Sequence, residues 1–529
     1  MRRRFKKLPA RTFQQLQHPP AGLSWRDYLI TLLRIAGEIE HALMTQYLYA
    51  AYSLGGDDAQ KEAETVRGWR DTLLTVAREE MGHLVTVQNL LLLLGGPVSF
   101  ERHEHPWSSP FYPFEFNLER FSRRSLAQYI YAEMPTNMTD AGDIEVRDKV
   151  RHILGHTHPV EVAVIYDHII DLLADRKKIP DTAFDPDCYH YQVTWDEFGR
   201  GYRPNNQSPR ASQTNAKAPA DGRARVIIAQ VVTRTDALAA LRDVAGQGEA
   251  EQYKLDDGNE KSHFRRFVDM FKEFEAIRRS RGDSWSPSLP VPRNPSADEL
   301  EASSESTPPT LSHPAPNEAQ DSQLSVATTA AEPAASDGAK GAESGPASPG
   351  APARKRRPGK STPIEDHASR TWAQLFNYRY RMLLLLLTYV YHVQRDPPAR
   401  LTSLRAQVLA RIFGEMYHMK TIAGILVRMP LNKHPEDPAG AKLSEVAGPP
   451  FQLPFSLALP QGEENFWRMQ TGLLDASRVL IEALQKDPGK TPKEEGGRFL
   501  TALTEIDRDA HDWMDKILSG GLFGWRISG

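Results

Sequence analysis

The sequence is poor in three features that would each narrow its class: cysteine, an excess of one charge, and long apolar runs. Among 529 residues only Cys188 is a cysteine, which excludes an intrachain disulfide framework and fits a reducing compartment. Lys and Arg total 65 against 68 for Asp and Glu, so there is no overall positive field and nucleic acid is not an expected partner. We therefore expect a near-neutral cytoplasmic protein.

Neither a membrane helix nor a secretory signal is expected. The longest apolar stretch, residues 382–393, is interrupted by tyrosines and falls short of the roughly 20 residues that span a bilayer. The N-terminal segment has five basic residues among its first seven, but it continues with prolines and glutamines instead of an apolar core. We interpret residues 1–24 as a basic tail.

Composition divides the chain into two folded regions. A length of 529 residues predicts roughly three to four units, linkers included. Between residues 282 and 366 Ser, Pro, Ala, Gly and Glu dominate, and such a segment buries too little apolar surface to offset its ordering entropy. We expect a first domain at 25–281 with a polar loop near 205–223, a disordered linker at 282–366, and a C-terminal helical region at 367–529 that packs on the first domain.

Helical periodicity dominates both regions. Apolar residues recur at three- and four-residue spacing along two long helices, 25–54 and 66–94, and glycines follow each of them. Further helices are expected at 125–134, 160–175, 235–245, 262–277, 368–394, 401–428, 464–485 and 496–517. The best strand signal is the run 226–232, so the predicted class is mainly α.

Three polar side chains lie on the apolar seams of the first two helices: Glu40, Glu80 and His83. A carboxylate on a buried seam is costly unless something compensates its lost hydration, and a metal ion is one such compensation. Glu80 and His83 stand at i and i+3, on one helix face. This combination is typical of one half of a di-iron site in a carboxylate helical bundle. The alternative is a buried salt bridge between Glu40 and His83, with Arg34 or Arg78 as a further partner, that binds no metal.

A second half-site is expected because Glu260 and His263 repeat the Glu-x-x-His spacing at the start of a later helix. Glu249, just upstream, is another candidate ligand, although it can equally be interpreted as an exposed turn carboxylate.

Two other pairs have the same spacing. Glu38 and His41 point off the seam, so we expect them to face solvent. Glu415 and His418 have no carboxylate on the preceding helix to face them, which favours a partly buried ion pair with Arg379 or Arg381.

At these residues the sequence resembles a known family. Three segments are similar to the ferritin-like domain of the iminophenylpyruvate dimer synthases, which are related to the violacein protein VioB and to chromopyrrolate synthase: EIEHALMTQYLYAAYSL, AREEMGHLVTVQNLLLLLGGP and FYPFEFNLERFSRRSLAQYIYAEMP. The segments EKSHFRRF and AGPPFQLP resemble the end of that domain and the family's C-terminal region. The resemblance spans most of the chain outside the linker.

The resemblance implies a ferritin-like four-helix bundle followed by additional C-terminal helices. It further implies a metal-dependent oxidative enzyme of natural-product biosynthesis that couples imines derived from aromatic amino acids. The implied cofactor is iron, as one or two ions, with manganese as the alternative. The implied partners are a small-molecule aromatic imine and an amino-acid oxidase that delivers it.

By the same match, the ligand roles fall to Glu40, Glu80, His83, Glu260 and His263. One position departs from the family, because Val164 stands where a third-helix Glu is expected. Either Glu161 or Glu249 would have to complete the set, and we therefore expect one well-held metal rather than two.

The leading hypothesis is an enzyme with a non-haem metal centre, in which Tyr47 is a hydrogen-bond donor or radical site beside the metal. The alternative is a non-catalytic helical scaffold that binds a partner protein and retains a degenerate metal site. The sequence leaves the identity of the substrate and a homo-oligomeric state open.

Overall fold

The structure, a computed structural model, describes residues 18–105, 115–136, 138–155, 162–198, 226–249, 261–298, 361–395, 403–432, 444–453 and 456–520. Over these residues the chain is predominantly helical, with a single two-stranded sheet. The predicted mainly α class is confirmed.

The first region is built on a pair of long helices, α1 and α2. Its described helices are α1 (Trp25–Ser53), α2 (Ala63–Leu93), α3 (Arg123–Ala132), α4 (Ala141–Leu154), α5 (Val162–Ala174), α6 (Trp195–Phe198), α7 (Arg234–Glu249) and α8 (His263–Arg281). The largest helix contact joins α1 to α2; α5 packs on α1 and α7, and α8 packs on α2, α3 and α7. The shorter helices thus close over the α1–α2 pair and bury its polar seam.

Four further helices form the C-terminal region: α9 (His367–Val390), α10 (Leu404–Leu426), α11 (Glu463–Lys486) and α12 (Lys493–Leu518). Helix α9 packs against α10 and α11, and α11 packs against α12. Large side chains such as Trp372 and Trp467 are fully buried in this region. No helix in the described ranges is long and apolar enough to cross a bilayer.

Hydrogen bonds between buried groups join the two regions. The hydroxyl of Tyr391 donates to the carbonyl oxygen of Val85 on α2 at 3.1 Å. The guanidinium of Arg405, on α10, donates to the carboxylate of Glu197 at 2.7 Å. The C-terminal helices therefore cover a face of α1 and α2 that would otherwise meet solvent.

The expected strand at 226–232 is wrong. The segment forms no strand, and side chains of α2 satisfy its backbone instead: Thr86 donates to the carbonyl of Ile227 at 3.1 Å, and Asn89 donates to that of Ala229 at 2.8 Å. Gly82 permits this close approach, because a Cβ there would lie 2.6 Å from the Ile227 carbonyl oxygen. The apolar run is buried by packing on a helix rather than by a sheet.

The linker is narrower than composition indicated. Pro295–Ser296 (β1) pairs in parallel with Thr362–Pro363 (β2), so both ends of the expected 282–366 linker belong to the described structure. Composition alone missed this pairing because it depends on contacts between residues far apart in sequence. The central segment 299–360, the polar loop 205–223 and residues 1–17 of the basic tail lie outside the described residues.

Candidate metal centre

Four carboxylates and two imidazoles meet in the interior of the first region, and each is at most 7% exposed. They are Glu40 on α1, Glu80 and His83 on α2, Glu133 directly after α3, Glu249 at the end of α7 and His263 at the start of α8. Ser262 caps α8 by accepting the N–H of Arg265 at 3.2 Å, which fixes where that helix begins. Long-range packing therefore gathers residues that are up to 223 positions apart in sequence.

One half of the cluster is centred on His83. Its Nδ1 lies 2.9 Å from Oε2 of Glu80 and 3.5 Å from Oε2 of Glu40. Its Nε2 lies 3.0 Å from Oε1 of Gln247. The hydroxyl of Tyr166, on α5, donates to the other oxygen of Glu40. The predicted group of Glu40, Glu80 and His83 is thus brought together.

The other half is centred on His263 and repeats this arrangement. Its Nδ1 lies 2.9 Å from Oε1 of Glu80 and 3.7 Å from Oε2 of Glu133. Its Nε2 lies 3.1 Å from Oε2 of Glu79, which Arg266 also contacts at 2.8 Å. The hydroxyl of Tyr47 donates to Glu133.

Glu80 connects the two halves, because each of its oxygens faces a different imidazole. One ligand atom each from Glu80, His83 and His263 lie within 4.8 Å of one another. Oε1 of Glu80 and Nδ1 of His263 are 2.9 Å apart without the alignment of a hydrogen bond, and both atoms are buried. Two buried polar atoms that converge without bonding to each other fit a cation placed between them.

The electrostatics also favour bound cations. Burial, and then the neighbouring Glu80, raise the pKa of Glu40 to about 7. Burial likewise raises the pKa of Glu249 well above its usual range, and Glu133 and Glu40 add to the effect. Burial alone would lower the pKa of both imidazoles, but the carboxylates of Glu80 and its neighbours outweigh burial. The pKa of His83 is raised to about 10 and that of His263 well above its ordinary value.

Burial and Glu133 raise the pKa of Glu80, but His263 and His83 outweigh them and lower it overall. The Glu80 carboxylate is therefore ionised, whereas Glu249 and the two imidazoles, whose pKa values are raised, retain protons at neutral pH in the metal-free protein. A metal ion can replace these protons.

Sequence reasoning missed three groups that contact the predicted ligands or their partners. Glu133 directly follows a short helix in which residues 125–132 are all buried, and the cost of burying a carboxylate there is the signal that could have found it. Glu79 and Gln247 had no comparable signal, since their roles depend on which histidine packs against them.

Of the two residues expected to compensate for Val164, Glu249 lies buried beside Glu40 and Glu133, and Glu161 is not among the described residues. Val164 itself supplies no ligand, and Tyr166, on the same helix, reaches Glu40 instead. Glu249 is buried, so its interpretation as an exposed turn carboxylate is wrong. Glu161 and Glu260 lie outside the described residues, so their roles stay predictions.

Of the salt-bridge alternative, the buried Glu40–His83 pair is present at 3.5 Å, whereas Arg34 and Arg78, the arginines expected to join it, are both exposed. The solvent-facing position expected for His41 is also wrong. His41 is fully buried and lies 2.5 Å from the hydroxyl of Tyr380, because α9 covers the side of α1 that seemed free. The ion pair expected for Glu415 is present, with Arg379 at 3.4 Å.

The residues present fit a metal centre. Carboxylate oxygens and imidazole nitrogens suit iron and manganese better than soft metals. Four Glu and two His are also the ligand count of two-metal carboxylate bundles, in which two Glu-x-x-His pairs and two further Glu face inward. Here Glu80 and His83 keep that pattern, whereas the described carboxylates beside His263 are Glu79, Glu80 and Glu133.

Comparison with known proteins supports the family resemblance. Residues 33–272 match the family model described as Ferritin-like. The chain is 29% identical over 302 residues to the dichlorochromopyrrolate synthase of Lentzea aerocolonigenes, a match that covers 52% of this chain and 27% of the synthase. It is 31% identical over 150 residues to the 2-imino-3-(indol-3-yl)propanoate dimerase of Chromobacterium violaceum, covering 22% of this chain and 14% of the dimerase.

The matched part thus spans less than a third of either relative. No solved structure matches the chain. The expected ferritin-like fold is confirmed for residues 33–272, and over part of its length the chain is similar to the synthase and the dimerase.

Proposed function

We propose that the cluster is a two-metal centre, with iron as the metal and manganese as the alternative. Its ligands are Glu40, Glu80, His83, Glu133, Glu249 and His263. The observation that carries the proposal is the placement of Glu80, whose two oxygens face two imidazoles, each of which also faces a terminal carboxylate. A carboxylate in this position can bridge two ions, so we propose two metal ions in place of the single ion expected from the sequence.

Charge balance supports two divalent ions. Glu79 is neutralised by Arg266, whereas the other four carboxylates form no ion pair with a lysine or arginine in the described ranges. Four buried negative charges are costly unless they are compensated. Two divalent cations supply four positive charges, and they leave both imidazoles neutral, as metal ligation requires.

The surrounding residues hold the ligands in position. Gln247 and Glu79 accept hydrogen bonds from Nε2 of His83 and His263, which leaves both Nδ1 lone pairs directed at the cluster. Tyr166 and Tyr47 donate to Glu40 and Glu133 and fix their orientation. Of the two roles that the sequence allowed for Tyr47, hydrogen-bond donor and radical site, we therefore propose the first: Tyr47 is a positioning residue.

The bound metal would supply redox and Lewis-acid chemistry for an oxidation that uses dioxygen. We propose that the reaction couples two imines derived from an aromatic amino acid, as in natural-product assembly, with an amino-acid oxidase delivering the imine. Joining two such molecules by one carbon–carbon bond removes two protons and two electrons, which dioxygen accepts as hydrogen peroxide. The support is the name of one relative, an imine dimerase, together with the oxidative class of ligand set.

The competing function is a scaffold with a degenerate site. The argument for it was that Val164 replaces an expected carboxylate, but Glu133 supplies a carboxylate to the second half of the cluster. No other feature of the described residues favours it over the enzyme.

Metal analysis tests the proposal. The full chain is loaded with Fe(II) under anaerobic conditions, desalted and assayed for iron, with Glu80→Ala as the test variant. His418→Ala is the matched control, because it removes the histidine of a buried Glu-x-x-His pair outside the cluster. We expect about two iron ions in wild type and control, and fewer than about 0.2 in Glu80→Ala. Equal iron in all three would contradict the assignment.

Product analysis tests the reaction. Imines are generated in situ from tryptophan or phenylalanine with an amino-acid oxidase, and dimers are detected by mass spectrometry. Iron-loaded wild type should yield a dimer under air, whereas Glu80→Ala should yield only the background product. Iron-loaded protein that forms no dimer from either imine would refute the proposed reaction while leaving the metal centre standing.

A further inference from the structure

A separate cavity of about 400 Å³ lies between the α1–α2 pair and the C-terminal helices α9 and α10. This volume falls in the range of roughly 300–1,000 Å³ in which proteins bind small molecules. On α2 the cavity is lined by Met81 and Leu84, which directly follow Glu80 and His83 of the metal cluster, and by Ala77, one turn before Met81. One residue corresponds to about 100° around a helix, so the cavity and the metal cluster occupy different faces of the same helix.

The lining of this cavity suits an aromatic ring. Four of the chain's 12 methionines, Met44, Met81, Met416 and Met419, contribute to it. Methionine is unbranched and polarisable, and its sulfur makes favourable contacts with aromatic ring edges. Aromatic side chains, among them Tyr52 and Phe451, complete the wall and can pack edge-to-face on a flat ligand.

The opening of the cavity is positively charged. Arg78 on α2 and Lys420 on α10 both line it, and both are exposed. Neither forms an ion pair with a carboxylate among the residues that the structure describes. Tyr417, one turn before Lys420, lines the same opening and is 61% exposed although it is a large hydrophobic residue. Two cations without a described carboxylate partner, beside an apolar interior, complement a ligand with an apolar body and an anionic end.

We propose that this cavity is a binding site for an aromatic carboxylate, with the ring held among the methionines and the carboxylate at Arg78 and Lys420. The site requires no metal, and its ligand is not assumed to be the substrate of the metal centre. A carboxylate between two cations gains charge-assisted hydrogen bonds that a neutral analogue cannot make. The same ring carrying an amide should therefore bind more weakly and without dependence on the two cations.

Calorimetric titration of the full chain tests this site. The probes are indole-3-acetate and its neutral analogue indole-3-acetamide, and the test variant is the double substitution Arg78→Gln and Lys420→Gln. Arg67→Gln is the matched control, because Arg67 is an exposed arginine on α2 that does not line the cavity. We expect indole-3-acetate to bind wild type and the control alike and to bind the double variant roughly tenfold or more weakly. Binding of the amide should change by less than about twofold.

Three results would overturn the proposal. The first is that indole-3-acetate shows no saturable binding to wild type. The second is that the double variant loses binding of both probes equally. The third is that dodecanoate saturates the site and the indole does not, which would make it a site for aliphatic chains. All substitutions lie at exposed positions, so folding is retained and is checked by the thermal transition. Because the titration measures binding without turnover, failure of the metal centre or of its reaction does not alter the outcome.

Discussion

Tyr47→Phe is the substitution that most cleanly separates the two halves of the proposed metal centre. The Tyr47 hydroxyl donates to Glu133, on the His263 side, whereas Tyr166 serves Glu40 on the other side. The ring of Tyr47 is fully buried and packs against Tyr129 and Phe267, with centroids 4.9 and 5.1 Å away. Phenylalanine keeps this packing and removes only the hydrogen bond.

The expected magnitude follows from the role of the hydroxyl. Loss of a group that orients a metal ligand typically lowers metal affinity by about 10–100-fold, which corresponds to about 1.4–2.7 kcal/mol. Only the position that uses Glu133 should be affected. The other position, which uses Glu40 and His83, should keep its affinity, since the hydroxyl of Tyr166 is untouched.

Anaerobic Fe(II) titration followed by equilibrium dialysis resolves the two affinities. Tyr49→Phe is the matched control: Tyr49 lies on the same helix, is 1% exposed, and donates to the carbonyl of Pro292 rather than to the cluster. The control should bind iron as wild type does. The reasoning is refuted if Tyr47→Phe binds both ions with wild-type affinity, or if Tyr49→Phe weakens binding as much.

Three further outcomes follow. Metal uptake must displace the proton from His83, because burial beside Glu80 raises the pKa of that imidazole to about 10. Fe(II) affinity should therefore rise between pH 6 and pH 8, by up to about tenfold per pH unit for each proton released. Equilibrium dialysis at three pH values measures this dependence. Gly82→Ala would place a Cβ 2.6 Å from the Ile227 carbonyl oxygen and should lower the free energy of unfolding by about 1–3 kcal/mol. Gly68→Ala is the control on the same helix: a Cβ there would have no neighbour within 4 Å, and the alanine should stabilise the protein by up to about 1 kcal/mol. Urea unfolding compares the two variants. Arg379→Met leaves two carboxylates buried without their cation and should destabilise the protein by about 3–5 kcal/mol in the same assay, and a loss below about 1 kcal/mol would show that the pair is not buried in solution.

Periodicity located the first half of the cluster because its residues lie on two long helices that are adjacent in sequence. Glu40, Glu80 and His83 each interrupt an apolar seam, and a local pattern suffices to find such interruptions. The second half depends on contacts between distant segments. Glu133 follows a helix of only 10 residues, too short for a strong periodic signal, and it meets His263 only through the packing of α3 on α8.

The position of His41 shows why the sequence wrongly predicted that this side chain faces solvent. A helix with one apolar face is expected to present its other face to water. Helix α1 instead lies between the shorter helices of its own region and the C-terminal helix α9, so His41 is buried against Tyr380. Residues 226–232 were misjudged for a related reason, since an apolar run does not reveal whether a strand or a helix will cover it.

The central claim, a pair of metal ions bridged by Glu80, is tested most directly by the iron content of two variants measured side by side. Glu133→Ala removes a terminal carboxylate from one half, whereas Glu80→Ala removes the group that both halves share. With wild type at about two ions per chain, we predict about one in Glu133→Ala and none in Glu80→Ala. Two ions retained in Glu80→Ala, or a single ion in wild type that Glu133→Ala leaves unchanged, would contradict the account.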